Sequence, residues 1–311
     1  MKVVELAGGV GGARLAEGLA AHLGADLTVI VNTGDDLELH GLAVWPDHDT
    51  IAYTLAGLDD EDRGWGLRDE TWAVMDALDA LGEATWFRLG DRDIATHLWR
   101  TERLRAGERP TAVALGLRER LGISPWILPM ADEAVRTGVR TDEGWLDFQE
   151  YFVHRHQAPI VHEVRFRGVE AARPTAEVDA AMRAADAVVI APSNPIVSIG
   201  PILAVPGMRD ALAATRARGV PVIAVSGIIG GAALKGPADR MLTSLGHESS
   251  ALGVARLYDG VVDRFVLDEV DAGLEPAIAA LGLRTVVTDT IMGGDAGRAR
   301  LAATILAAAA T

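Results

Sequence analysis

Short apolar runs recur along the chain, each followed by glycine or small polar residues and then by a longer stretch with apolar positions three and four apart. Val3–Ala7, Leu27–Val31, Asp186–Ala191, Val220–Val225, Phe265–Leu267 and Thr285–Thr288 read as strands. The spacing predicts a helix from about Ala13 to Leu23, and a closing helix over Gly297–Ala309. Residues 50–125 read as mainly helical, with breaks at Gly64, Gly66, Gly90 and Pro110. This order predicts an α/β, Rossmann-like fold: a mostly parallel sheet with helices on both faces. Residues 125–174 differ, alternating polar and apolar groups in runs such as Val135-Arg136-Thr137-Gly138-Val139. They predict a small β-rich insertion, so that residues 1–124 and 175–311 form the core and 125–174 an inserted subdomain.

Composition narrows the function. The 311 residues are 49% hydrophobic and include no cysteine, which removes disulfides, thiol catalysis and cysteine-held metals. The net charge of −15 argues against a nucleic-acid polymer as partner, because phosphate backbones need a broad basic surface. A small anionic ligand stays compatible, given a site that supplies its own positive potential. No apolar run is long enough for a transmembrane helix, and Glu5 interrupts the first apolar segment, which reads as a strand and not a signal peptide. No membrane partner is expected, and the cytoplasm is the default location.

Several strand-to-helix loops carry candidate chemistry, and in open parallel sheets such loops gather at the carboxyl ends of the strands, where ligands bind. In Gly8–Gly12, glycines let backbone N–H groups of Gly9, Gly11 and Gly12 approach a phosphate at a helix N-terminus, with Arg14 in reach. The dinucleotide fingerprint is not satisfied, since Arg14 stands where its third glycine belongs. Asn32-Thr33-Gly34-Asp35-Asp36 and Pro46-Asp47-His48-Asp49-Thr50 bring carboxylates near that cradle, a donor set for a hard divalent cation. Asp35 and Asp49 are the chosen metal or hydroxyl contacts; Asp49 equally suits a helix N-cap. Pro192–Pro201 pins its backbone with prolines and leaves Ser193, Asn194 and Ser198 as uncharged hydrogen-bonding groups. Lys235, one of two lysines in an otherwise arginine-based chain, sits in a glycine-rich loop as a point charge for phosphate. All seven tryptophans fall between Trp45 and Trp145, where a planar ligand can stack or helices can pack.

In order along the chain, these runs resemble the 2-phospho-L-lactate transferase family of coenzyme F-420 biosynthesis. The matching stretches are Gly8–Arg14, Val31–Asp36, Pro46–Thr50, Leu89-Gly90-Asp91-Arg92-Asp93, Ile127–Met130, Pro192–Gly200 and Ile228–Gly231. Gly227 departs from the pattern, which has proline before the Ile-Ile-Gly run. The resemblance implies a Mg²⁺-dependent transfer from a guanosine diphosphate adduct of lactate or enolpyruvate to the terminal ribityl hydroxyl of the deazaflavin Fo, releasing GMP. It places Asp49 and Arg88, with Asn32 beside them, at the Fo contacts, and Asp35 and Asp49 at the metal and in the catalytic role. It leaves Gly9, Gly11, Gly12, Arg14, Ser193, Asn194, Ser198 and Lys235 to hold the nucleotide and its phosphates. It also implies a homodimer. Two other readings stay open: a nucleotide-sugar-binding regulator of the gluconeogenesis factor type, which shares the first loop, and an NAD(P)-dependent oxidoreductase.

Overall fold

A computed structural model describes residues 1–311. Its strands are β1 (Val3–Ala7), β2 (Leu27–Val31), β3 (Leu37–Leu39), β4 (Leu42–Val44), β5 (Trp126–Pro129), β6 (Arg136–Thr141) and β7 (Gly144–Asp147). They continue as β8 (Val161–Arg167), β9 (Ala187–Ile190), β10 (Val222–Val225), β11 (Ile228–Ile229), β12 (Ala232–Ala233), β13 (Arg264–Asp268) and β14 (Arg284–Thr288). The first helices are α1 (Gly9–Leu23), α2 (Pro46–Leu55), α3 (Ala73–Ala80), α4 (Asp91–Arg105), α5 (Pro110–Arg120) and α6 (Ala176–Ala184). The rest are α7 (Ile199–Ala204), α8 (Met208–Ala217), α9 (Ala238–Ser244), α10 (Ala251–Leu257), α11 (Glu275–Ala279) and α12 (Gly294–Ala309).

Seven strands form one parallel sheet in the order β14-β13-β10-β9-β1-β2-β5. The fold is therefore the doubly wound α/β type that the apolar runs predict. Alternate residues of each strand feed opposite cores, as the pleat requires. Val3 and Ala7 pack with α1, α2 and α12, whereas Val4 and Leu6 pack with α6–α11. Chain order reverses between β1 and β9, so the loops after these strands diverge and leave a crevice at the carboxyl edge.

Glu5 points into the α1 and α12 side of the sheet, fully buried and with both carboxyl oxygens lacking a hydrogen-bond partner. Burial alone drives its pKa well above the ordinary 4.5, so the group sits in the core as a neutral acid.

Two expectations need adjustment. The first helix begins at Gly9 and not near Ala13: the glycines form its opening turn, with Gly9 at φ +63°. Trp126–Pro129, placed by the sequence in the insertion, pairs in parallel with β2 as the edge of the main sheet. Its run Trp-Ile-Leu-Pro is a buried-strand signal like the others, and the alternating pattern that marks the insertion starts only at β6. The insertion is the antiparallel sheet β7-β6-β8, followed after β7 by a wide turn over Glu150–His154. No helix is long and apolar enough to cross a membrane.

Candidate functional site

A cavity of about 820 Å³ opens at the crevice. Its floor joins the loops after β1 and β9. The Ser193 hydroxyl donates to the Gly8 carbonyl at 2.7 Å and accepts from the Gly8 N–H at 3.2 Å, tying the two loops together. Gly11 makes this approach possible: a Cβ there would lie 2.6 Å from the Pro192 carbonyl oxygen. Asn194 shapes the second loop, its Oδ1 accepting from Ile196 N at 2.9 Å and Val197 N at 3.3 Å. Gly227 lies in the wall too, and a Cβ there would meet the Pro192 oxygen at 3.1 Å.

Asp35 and Asp47 are the two carboxylates that face the cavity. Asp47 Oδ1 accepts from Gly9 N at 2.8 Å, at the start of α1, and its Oδ2 accepts from Asn32 Nδ2 at 2.8 Å. Burial raises the Asp47 pKa to about 6 against the Asn32 and Gly9 hydrogen bonds that lower it. Asp35 is pushed well above its ordinary value by burial and then by the Asp47 charge, and its Oδ1 has no partner. A pair of buried acids sharing a wall, one with an orphaned oxygen, is a donor set of the kind that suits a hard divalent cation.

Not every expected residue reaches the cavity. Gly9, Gly11, Arg14, Asp35, Arg88, Ser193, Asn194, Ser198 and Lys235 line it. Gly12 faces the sheet instead, where a Cβ would come within 2.7 Å of the Ala7 Cβ. Asn32 stands behind the acids: its amide is spent on Asp47 and the Val197 carbonyl, and its Oδ1 accepts from Gly34 N at 2.8 Å. Asp49 is displaced most. Burial would raise its pKa, but the Arg100 charge, helped by His48 and His97, holds it below the usual carboxylate range. Arg100 is itself fully buried, hydrogen-bonds Asp49, and lies 4.5 Å over the Trp45 ring. Asp47 and Asp49 lie two residues apart in α2, about 200° around its axis, so they point to opposite sides. The cavity carboxylate is thus Asp47, and Asp49 belongs to a buried strut between α2 and α4. Asp49, Asp93 and His97 come close enough to chelate a cation, but Arg100 already supplies positive charge there.

Four basic side chains line the cavity, namely Arg14, Arg63, Arg88 and Lys235, against the two acids. Burial, and next the Arg14 charge, lower the pKa of Lys235, and neither cation is ion-paired with a carboxylate. Arg63 and Arg88 are set by an indole: their guanidinium carbons lie 5.2 and 5.0 Å from the centre of the Trp72 ring. Arg88 also pairs with exposed Asp76 at 3.0 Å. Aromatic residues complete the wall: Trp65, Trp86 and Phe87 from the core, Phe148 and Phe152 from the insertion. Trp86 stacks on His154 with centroids 5.1 Å apart, joining core to insertion. The sequence reading passed over Asp47, Arg63 and the insertion's aromatic pair. For Asp47 the signal was present: a carboxylate two residues from the chosen one, on the opposite face of a helix.

A cation- and acid-lined crevice at the switch point of a parallel sheet is where doubly wound α/β proteins bind their ligands. Comparison with known sequences narrows this. The profile of the 2-phospho-L-lactate transferase CofD family matches residues 3–292, and the chain belongs to that family. It is similar to the phosphoenolpyruvate transferase of Streptomyces griseus, 46% identical over 91% of each chain. That of Kitasatospora aureofaciens is 43% identical over 99% of this chain and 98% of its own. Among solved structures, a UPF0052 family member from Bacillus halodurans shares the fold, with TM-score 0.61, 15% identity and 98% coverage of both chains. The family supports a transferase of phospholactyl or phosphoenolpyruvyl type in F-420 biosynthesis.

Proposed function

We propose that the cleft transfers a phosphoenolpyruvyl group from a guanosine diphosphate adduct to the terminal ribityl hydroxyl of Fo, with GMP leaving. The enolpyruvyl donor is preferred over the lactyl one because phosphoenolpyruvate transferases are the similar proteins. One observation carries the reading: Asp35 and Asp47, the latter on the Gly9 N–H, are buried acids facing a cavity that also presents the unpaired cations Arg14 and Lys235 and flat aromatic surfaces. Phosphoryl-type transfer depends chiefly on position and charge, so the protein needs no nucleophile of its own.

Asp35 and Asp47 would hold a Mg²⁺ ion, which fits the orphaned Asp35 oxygen and the hard oxygen donor set. When bound, the cation supplies charge neutralisation at the diphosphate. Arg14, Lys235 and the first-turn amides of α1 hold the diphosphate oxygens. Asn32 aligns Asp47, and the Asp49–Arg100 strut fixes the helix turn that carries it. Arg88 and the aromatic wall hold the acceptor.

The test incubates the protein with Fo, Mg²⁺ and each donor in turn, reading product mass and GMP release. Transfer from the enolpyruvyl adduct at a higher kcat/KM than from the lactyl adduct is expected. Absence of GMP release with both would overturn the proposal.

A further inference from the structure

Gln149 is 7% exposed, lines the cavity, and its carboxamide makes no hydrogen bond within the protein. The amide is accessible from the cavity and spends neither its donor nor its acceptor on the protein, so both are free for a ligand. Its setting says which kind. Gln149 follows β7 in the insertion, directly before the wide turn Glu150–His154, an irregular helical form that recurs at functional sites. In sequence it stands between Phe148 and Phe152, whose rings stack on each other with centroids 5.5 Å apart and planes at 16°. A carboxamide offers a donor and an acceptor side by side in one plane. Its complement is a ring edge on which N–H adjoins C=O.

We infer that Gln149 reads the imide edge of the acceptor's flat ring, its oxygen accepting from the ring N–H and its NH₂ donating to a neighbouring carbonyl. This rests on the proposed function, in which the acceptor is a deazaflavin bearing a pyrimidinedione. The donor's guanine has a similar edge. The acceptor is favoured because Gln149 comes from the aromatic wall, together with Trp86, Phe87 and Phe152, and not from the loops that carry Arg14 and Lys235. Gln149 is on this account a specificity-determining residue that takes no part in bond making.

The experiment compares wild type with Gln149→Met and Gln149→Glu by calorimetric titration of Fo and by steady-state kinetics, after thermal unfolding has verified each fold. Loss of two neutral hydrogen bonds is expected to weaken Fo binding about tenfold in Gln149→Met. The KM for donor should stay within about twofold, since that change is below the effect of one such bond. An Fo analogue methylated at the imide nitrogen should lose affinity for wild type and bind Gln149→Met as Fo does. Unchanged Fo affinity in both variants, with wild type binding Fo, would overturn the assignment alone. A rise in donor KM without change for Fo would move the amide to the nucleobase and overturn it too. Wild type that binds no Fo would overturn the proposed function and this assignment with it.

Discussion

Asp47 links the chemistry of the site to solution pH. Its folded pKa of about 6 exceeds the ordinary 3.8, so the folded state holds the proton more tightly than the unfolded chain. Its contribution to the stability of the metal-free protein is full below 3.8 and is lost as pH rises towards about 6. Cation binding must displace the same proton. Magnesium affinity, followed by titration calorimetry, should fall as pH drops, by up to about tenfold per pH unit for each of the two carboxylates that must lose its proton, since the Asp35 pKa is raised as well. Asp47→Asn should make that dependence shallower, leaving the Asp35 part, and lower kcat/KM at least about a hundredfold. Glu5 acts in the same direction from the core. Its pKa is raised, so ionisation above its ordinary 4.5 weakens the fold. Gln in its place should flatten the decline of Tm with pH above that value, seen by calorimetric scans of both proteins. Asp49 behaves oppositely, because its carboxylate is held ionised by Arg100. Asp49→Asn strands a buried guanidinium and should cost roughly 3–5 kcal/mol in chemical denaturation. Full wild-type stability in that variant would mean that the strut carries no weight.

At the level of elements, the loops matter through how closely they approach. Gly11→Ala puts a methyl group 2.6 Å from the Pro192 oxygen, where both sides of the contact are backbone. The crevice floor must spread, costing about 1–3 kcal/mol and misaligning the amides that face the diphosphate. We expect donor KM to rise at least about tenfold with the fold retained, checked by kinetics beside thermal unfolding. The strands were legible because continuous apolar runs suffice for a sheet buried on both faces. The start of α1 was not: glycines disfavour a helix intrinsically, and here Asp47 on Gly9 N and the Ser193 bonds to Gly8 hold the turn from outside. The choice between Asp47 and Asp49 was obscured similarly. Residue type and spacing put both near the cradle and pointed to Asp49, while only the rotation of α2 against the loop at Gly9 decides which faces the cavity.

Across the molecule, two fields of opposite sign would act on the anionic donor proposed above. The chain's −15 repels it at long range, whereas Arg14, Arg63, Arg88 and Lys235 attract it inside the cavity. The sequence showed the first field and made a local second one the condition for an anionic ligand. It did not show that Arg63 and Arg88 share the Trp72 ring, because that contact joins segments brought together only by packing. Screening separates the two fields. The Debye length is about 10 Å at 0.1 M salt, so diffuse repulsion between distant charges fades before contacts at a few ångströms do. Up to about 0.1 M salt, donor KM should therefore hold steady or fall, and beyond that it should rise as the ion pairs with the diphosphate weaken. Lys235→Met should raise KM throughout and flatten the rise at high salt, since one of the screened contacts is gone. Fo, which carries no phosphate, should respond to salt much less than the donor. A donor KM that keeps falling up to about 0.5 M salt would mean that global repulsion outweighs the cavity cations, and that the diphosphate is held by other groups.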